Sequence, residues 1–225
     1  MSAGRRRRGL LVTFEGIEGS GKSTQLARLA AALRSEGYGV EVVREPGGTG
    51  LGEALRDLLL SYDEEAVDAR AELFLYLAAR AQLVEHVMRP ALAEGRIVLA
   101  DRYGDASVAY QGGGRSLGVP RVRSMVRFAT AGLTPDRTYL LDLPPETSLR
   151  RVRSRGALDR LERERIGFHR SVRSTYLEIA RSDPKRFRVI KAQDSISRIE
   201  KRIRDDLAPL VSTIPPSREI ASGTR

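Results

Sequence analysis

The sequence predicts an α/β fold in which a five-stranded parallel sheet is covered by helices on both faces. Two observations carry that expectation. Short apolar runs alternate along the chain with longer segments whose apolar residues recur at helical spacing, and the first run enters a glycine turn that opens into a helix. Leu10 to Glu15 is the first strand. Ser23 to Gly37 is the helix after it, with Leu26, Leu29, Ala30 and Leu33 on one face and Gly37 as its stop. Val40 to Val43 reads as the second strand, Leu51 to Leu60 as a helix, and Ala69 to His86 as a longer helix ending near Pro90. Arg96 to Ala100 is the third strand, followed by a glycine-rich loop. Pro120 to Thr130 reads as a helix opened by proline, and Thr138 to Leu143 as the fourth strand. Helices over Pro145 to Arg155 and Leu161 to Arg181 lead to the fifth strand, Phe187 to Lys191, and Ile196 to Leu210 closes the fold.

With 225 residues the chain holds one domain with a substantial core. That domain is expected over residues 10–212, between a flexible basic arm, 1–9, and a flexible tail, 213–225. Arg5, Arg6, Arg7 and Arg8 could mimic the start of a signal peptide, but Leu10, Leu11 and Val12 run straight into Glu15, so the apolar stretch is too short. No run approaches the roughly 18 apolar residues of a membrane span. The absence of cysteine excludes a disulfide framework and thiolate metal sites. A cytoplasmic location is expected. The net charge of +10 favours polyanionic partners, nucleic acid and nucleotide phosphates alike.

In such sheets ligands bind beyond the carboxyl ends of the strands, and the three richest motifs lie there. The first is "FEGIEGSGKST", Phe14 to Thr24. Gly16, Gly21, Lys22 and Ser23 fit G-x-x-x-x-G-K-[ST] between a strand and an amphipathic helix. Its glycines let backbone amides curl around phosphate oxygens, Lys22 reaches the transferred phosphoryl group, and Ser23 offers a hydroxyl to Mg2+. Gly19, Ser20 and Thr24 complete the cradle. Glu18 is out of place beside phosphates, so it should face some other group. At the end of the third strand, Asp101 can hold the water shell of Mg2+ and Arg102 can grip a second phosphate. A phosphate loop identifies the donor, since motors, GTPases, ATPases and small-molecule kinases share it; the acceptor must be read elsewhere.

The stretch "DRYGDASVAYQGGGR", Asp101 to Arg115, together with "REPGGT", Arg44 to Thr49, resembles the bacterial thymidylate kinases, a family of P-loop nucleoside monophosphate kinases. The resemblance extends from about Leu10 to Leu207. It implies the P-loop NTPase fold with a helical lid, Mg2+-dependent transfer of a phosphoryl group from ATP to dTMP, and a homodimer that recognises neither membrane nor a specific nucleic acid. Glu18 then hydrogen-bonds the acceptor sugar's 3'-hydroxyl while also lining the ATP site, which accounts for its place in the loop. Arg102 holds the acceptor phosphate, with Arg44, Glu45 and Pro46 beside it and the Glu45–Pro46 bond cis. Tyr76, where the family usually has phenylalanine, stacks on the base, and Arg80, one helical turn on, reaches its carbonyl. Ser107 meets the base edge, Ala106 replaces a common serine, and Tyr110 sits beneath the sugar and crowds out a 2'-hydroxyl. Gln111 to Arg115 forms a flexible shoulder of that pocket. The lid resembles Arg150 to Glu164: Gly19 stands where the eukaryotic kind of enzyme has arginine, so Arg155 and Arg160 supply the charge at transfer, and Arg151 lies near adenine. Two other readings stay open: a kinase of another nucleoside monophosphate such as dUMP, and a nucleic-acid-dependent ATPase.

Overall fold

A computed structural model of the chain describes residues 9–62, 65–154 and 159–216. Strands β1 (Leu10–Glu15), β2 (Val40–Arg44), β3 (Ile97–Asp101), β4 (Arg137–Asp142) and β5 (Phe187–Lys191) form one parallel sheet in the order β2-β3-β1-β4-β5. Successive strand residues point to opposite faces. Leu10, Val12 and Phe14 of β1 and Ile97 and Leu99 of β3 enter one core, while Leu11, Val98 and Ala100 enter a second. Burial on both faces explains why these strands read as unbroken apolar runs.

Among the described residues the helices are α1 (Lys22–Ser35), α2 (Gly50–Ser61), α3 (Ala69–Leu83), α4 (Arg89–Ala93), α5 (Gly104–Ser107), α6 (Val119–Ala129), α7 (Pro145–Arg153), α8 (Ile166–Ser182) and α9 (Ile196–Val211). Helix α1 follows the expected pattern, burying Leu26, Leu29, Ala30 and Leu33. No described helix is long and apolar enough to cross a membrane.

Four expectations need correction. The helix expected to end near Pro90 changes to a π-helical segment at Val84–Met88 and then continues as α4 to Ala93. Pro90 sits in the first turn of α4, where its missing N–H costs little. The long charged helix starts at Ile166 rather than Leu161. Asp159 and Glu162 accept each other's backbone N–H, at 2.8 and 3.0 Å, which offers the chain a turn in place of a helix. The packed residues extend past the expected bounds of 10 and 212: Gly9 is buried and donates to the Leu92 carbonyl, and Ile214 is buried in the core. Arg5 to Arg8 and residues 217–225 lie outside the described residues.

The fourth correction bears on the site. The glycine-rich stretch after β3 is helical, as α5 and a π-helical segment at Val108–Gly114. Its glycines serve close packing: a methyl group on Gly113 would overlap the Thr175 hydroxyl, and one on Gly114 would come within 2.6 Å of the Phe168 ring. The Gln111–Arg115 shoulder is therefore fixed, since α8 lies directly against it. Gly113→Ala is expected to destabilise the protein by about 1–3 kcal/mol, with partial recovery when Thr175→Ala is added. Thermal melting of the two variants measures this; full additivity would show that the contact does not carry the effect.

Candidate active site

The sheet register brings the three motifs together. Phe14 of β1 and Arg44 of β2 both pair with Asp101 of β3, so these strands end level. The glycine loop, the cis Glu45–Pro46 turn and the Arg102–Tyr103 exit open into one cleft of about 480 Å3. Lining it are Glu18, Gly19, Gly21, Lys22, Ser23, Thr24, Arg44, Glu45, Pro46, Tyr76, Arg80, Asp101, Arg102, Ser107, Tyr110 and Gln111. Residues spread over almost a hundred positions of sequence thus share one wall.

The loop itself wraps around Lys22, whose ammonium group donates to the carbonyls of Gly16 and Ile17, each at 3.0 Å. Burial pushes its pKa down to about 8, with Arg102 adding repulsion, while Asp101, Glu18 and Glu15 pull the other way. Gly16 has φ +133°, and a side chain there would press on the Leu141 carbonyl at 2.5 Å; only glycine fits. The buried Ser20 hydroxyl has no partner within the protein. Ser23 donates from Oγ to Asp101 Oδ2 at 2.5 Å, setting a hydroxyl and a carboxylate side by side at the cleft.

Glu18 leaves the loop in the direction of Arg102. Its Oε1 accepts from Arg102 Nη2 and from the Tyr110 hydroxyl, both at 2.7 Å, whereas Oε2 is buried without a partner. Burial would raise the Glu18 carboxyl, but Arg102 and Lys22 outweigh it and hold the group below the usual carboxylate range. Arg102 also donates to the Gly16 carbonyl at 3.1 Å and lies over the Tyr110 ring at 4.9 Å. Its φ is +71°, a left-handed conformation rare for a residue with a side chain.

Arg80 is fully buried and joins three elements. Nε donates to Glu45 at 2.7 Å, Nη1 to Ser107 Oγ at 2.9 Å and Nη2 to the Tyr103 carbonyl at 3.1 Å. Nη2 also lies 2.7 Å from the Glu45 carboxylate, so most of the donors on this guanidinium hold the pocket together and few are left for a ligand. Arg44 is tied to Glu53 at 2.9 Å. Tyr76 is half-buried, and burial pushes its hydroxyl above the usual tyrosine range. One turn before it, the buried Glu72 accepts from Gln111, Arg115 and Arg160, at 2.7 to 3.3 Å.

The arginines from the lid stretch go to different places. Arg160 donates to Glu72 and to the Leu59 carbonyl, with Nη2 left without a partner. Arg151 bridges the Gly19 and Ala192 carbonyls and so ties α7 to the loop. Arg155 lies outside the described residues. The α7 backbone and side chains approach Gly19 so closely that even a methyl group there would meet Arg151, Ser148 and Val152 at 3.3 Å. A side chain at that position would need α7 to give way by a few tenths of an ångström and would strain the +70° backbone.

Several cleft residues escaped the sequence reading. Arg56 of α2, which donates to the Pro46 carbonyl at 2.9 Å, carried no motif. Asp159 and Glu162 line the cleft and were overshadowed by neighbouring arginines, although an acid pair three residues apart was a visible turn signal. Glu15 was also missed; an acid closing an otherwise apolar strand was the clue. It is fully buried, and burial, with Asp105 nearby, pushes it up to about 8.

The family model for thymidylate kinase matches residues 14–203. The thymidylate kinase of Pseudomonas syringae pv. syringae (strain B728a) is 49% identical over 201 residues, covering 89% of this chain and 95% of the relative. That of Deinococcus radiodurans is 49% identical over 195 residues, covering 87% and 94%. The crystal structure of thymidylate kinase from Ehrlichia chaffeensis superposes with a TM-score of 0.73 at 30% identity, covering 89% of this chain and 99% of that one. Likeness over nearly the whole chain, in sequence and in fold, shows that this chain belongs to the thymidylate kinase family.

Proposed function

We propose that the cleft carries out this family's reaction, ATP and dTMP giving ADP and dTDP, with the two nucleotides meeting end to end above the sheet. The acceptor phosphate oxygen attacks the γ phosphorus in line, the new O–P bond forms, and the bond to the β-phosphate oxygen breaks as ADP leaves. A phosphate dianion is nucleophilic at neutral pH, so no general base is required. Lys22 and the loop amides take the donor phosphates, and Arg102 takes the acceptor phosphate. Tyr76, Arg80, Ser107 and Gln111 form the base pocket, with Arg44, Glu45 and Pro46 at its entrance. Tyr110 lies under the sugar.

The observation that carries this reading is the Glu18 carboxylate, one oxygen satisfied by Arg102 and Tyr110 and the other buried without a partner. A ligand hydroxyl is the natural donor to that oxygen. The adjacent Ser23 hydroxyl and Asp101 carboxylate are hard oxygen donors that fit Mg2+ held mostly by water and phosphate. Such an ion would neutralise charge on the phosphates. Arg155 and Arg160 remain the lid residues assigned to the transferring phosphoryl group, and Arg151 the one nearest the nucleotide base. The exposed Phe74 of α3, Phe128 of α6 and Leu51 and Leu58 of α2 support a second copy as partner, since these helices neighbour one another. Sedimentation would show a monomer if that assignment is wrong.

A coupled assay with ATP, Mg2+ and a panel of nucleoside monophosphates tests the function. Turnover is expected with dTMP, with weaker activity on dUMP, which lacks one methyl group worth about 1 kcal/mol or slightly more in an apolar pocket. Hydrolysis stimulated by DNA, with no dependence on a monophosphate, would overturn the reading. The Glu18 assignment has its own check. A 3'-deoxy analogue of dTMP should be the poorer acceptor by roughly 10- to 100-fold, and Glu18→Gln should remove most of that preference.

A further inference from the structure

Glu15 takes no part in the reaction described above, yet it touches the three elements that shape the acceptor side of the cleft. It is the last residue of β1 and stands next to Gly16, whose carbonyl accepts from both Lys22 and Arg102. Its Oε1 accepts the backbone N–H of Tyr103 at 2.7 Å, and its Oε2 accepts the hydroxyl of Tyr176, on α8, at 2.7 Å. The Tyr176 oxygen lies 3.4 Å from Arg102 Nη1. The Arg102 N–H itself donates to the Phe14 carbonyl at 3.0 Å.

Arg102 is therefore gripped on both sides while its φ stands at +71°. A left-handed arginine is strained and persists only where its surroundings over-determine it. In an ordinary conformation the chain would leave β3 in another direction, and the guanidinium would no longer face Glu18. We propose that Glu15 is a positioning residue for acceptor binding: by clamping the Tyr103 amide and the Tyr176 hydroxyl, it holds Arg102 in the left-handed turn that aims its guanidinium at the acceptor phosphate. This rests on the assignment of Arg102 to that phosphate.

The clamp works in either protonation state. With its carboxyl pushed up to about 8 by burial, Glu15 is mostly protonated near neutral pH. Oε1 then still accepts from Tyr103, and the acid proton can face the Tyr176 oxygen. Glutamine reproduces that arrangement, its carbonyl toward Tyr103 and its amide toward Tyr176. Leucine has a similar volume and neither group.

The test compares Glu15→Leu, Glu15→Gln and Tyr176→Phe by steady-state kinetics, each in the wild-type and Arg102→Ala backgrounds. Glu15→Leu is expected to raise the KM for dTMP at least 30-fold and leave the KM for ATP within about threefold, and Glu15→Gln to restore dTMP binding to within about threefold of wild type. Tyr176→Phe should raise the dTMP KM about fivefold. In the Arg102→Ala background, none of the three should change dTMP kinetics further, because the group being positioned is gone. Equal rises in both KM values, or full additivity with Arg102→Ala, would overturn the proposal, as would a leucine variant that melts lower but binds dTMP normally. If Glu15→Leu fails to fold, Tyr176→Phe and its pairing with Arg102→Ala decide alone. Should Arg102→Ala by itself leave dTMP binding intact, the assignment of Arg102 falls; if it abolishes binding while the Glu15 variants do nothing, only the positioning role falls.

Discussion

Lys22→Met is expected to lower kcat by about a thousandfold or more while changing the KM for ATP by less than about tenfold. A thousandfold loss corresponds to about 4 kcal/mol of transition-state stabilisation, a magnitude reached when a positioned charge beside developing phosphoryl charge is removed. The geometry favours so large an effect. Lys22 is 7% exposed, and its ammonium group is held in place by the carbonyls of Gly16 and Ile17. Methionine keeps the length and the apolar stem but carries no charge. Folding should not suffer. The Lys22 pKa falls from 10.5 in the unfolded chain to about 8, so the folded state penalises the charged form below pH 8, and the penalty fades as pH rises toward 10.5. At pH 7 the methionine variant should therefore melt no lower than the wild type. A kcat within tenfold of wild type, measured in single turnover, would remove Lys22 from the chemistry.

Arg102→Ala should lower kcat/KM for dTMP by a hundred- to a thousandfold, with most of the loss in the dTMP KM. This guanidinium faces Glu18 and the Gly16 carbonyl within the cleft. Its removal also leaves the Glu18 carboxylate, with only 14% of its side chain exposed, with the Tyr110 hydroxyl as its remaining side-chain hydrogen bond and Lys22 as the remaining positive charge acting on it, which should cost about 2 kcal/mol of stability. Arg102→Gly separates the two effects. Glycine adopts the +71° backbone without strain, so this variant should be more stable than the alanine variant by about 1 kcal/mol and equally poor in dTMP binding. Thermal melting alongside dTMP titration measures both. An alanine variant that binds dTMP normally would place the acceptor phosphate elsewhere.

Much of the site could be read before any coordinates. The glycine loop, Asp101 and Arg102 lie at strand ends, where an apolar run stops and a turn begins, and such local patterns survive folding. Glu18 was marked by its own incongruity, an acid among phosphate-binding residues. The second half of the pocket was less visible. Three glycines in a row read as a loop because glycine is usually chosen for backbone freedom; here Gly113 and Gly114 are needed because α8 comes too close for a side chain. Arg80 suggested a base reader; in the structure its donors hold Glu45, Ser107 and Tyr103 in place. Nothing in a one-dimensional pattern records how many of an arginine's donors are already taken.

The sequence by itself determined the α/β class, the position of the strands and the place of the glycine loop at the end of the first of them, because apolar periodicity and turn residues act over a few neighbouring positions. The tertiary structure alone decided that Glu15, Arg102 and Tyr176 meet, that Glu72 gathers Gln111, Arg115 and Arg160, and that Gly19 has α7 against it. Those contacts join residues up to 161 positions apart. They exist because a parallel sheet sets the ends of strands distant in sequence side by side, and burial there leaves each polar group no water to turn to, only another part of the chain.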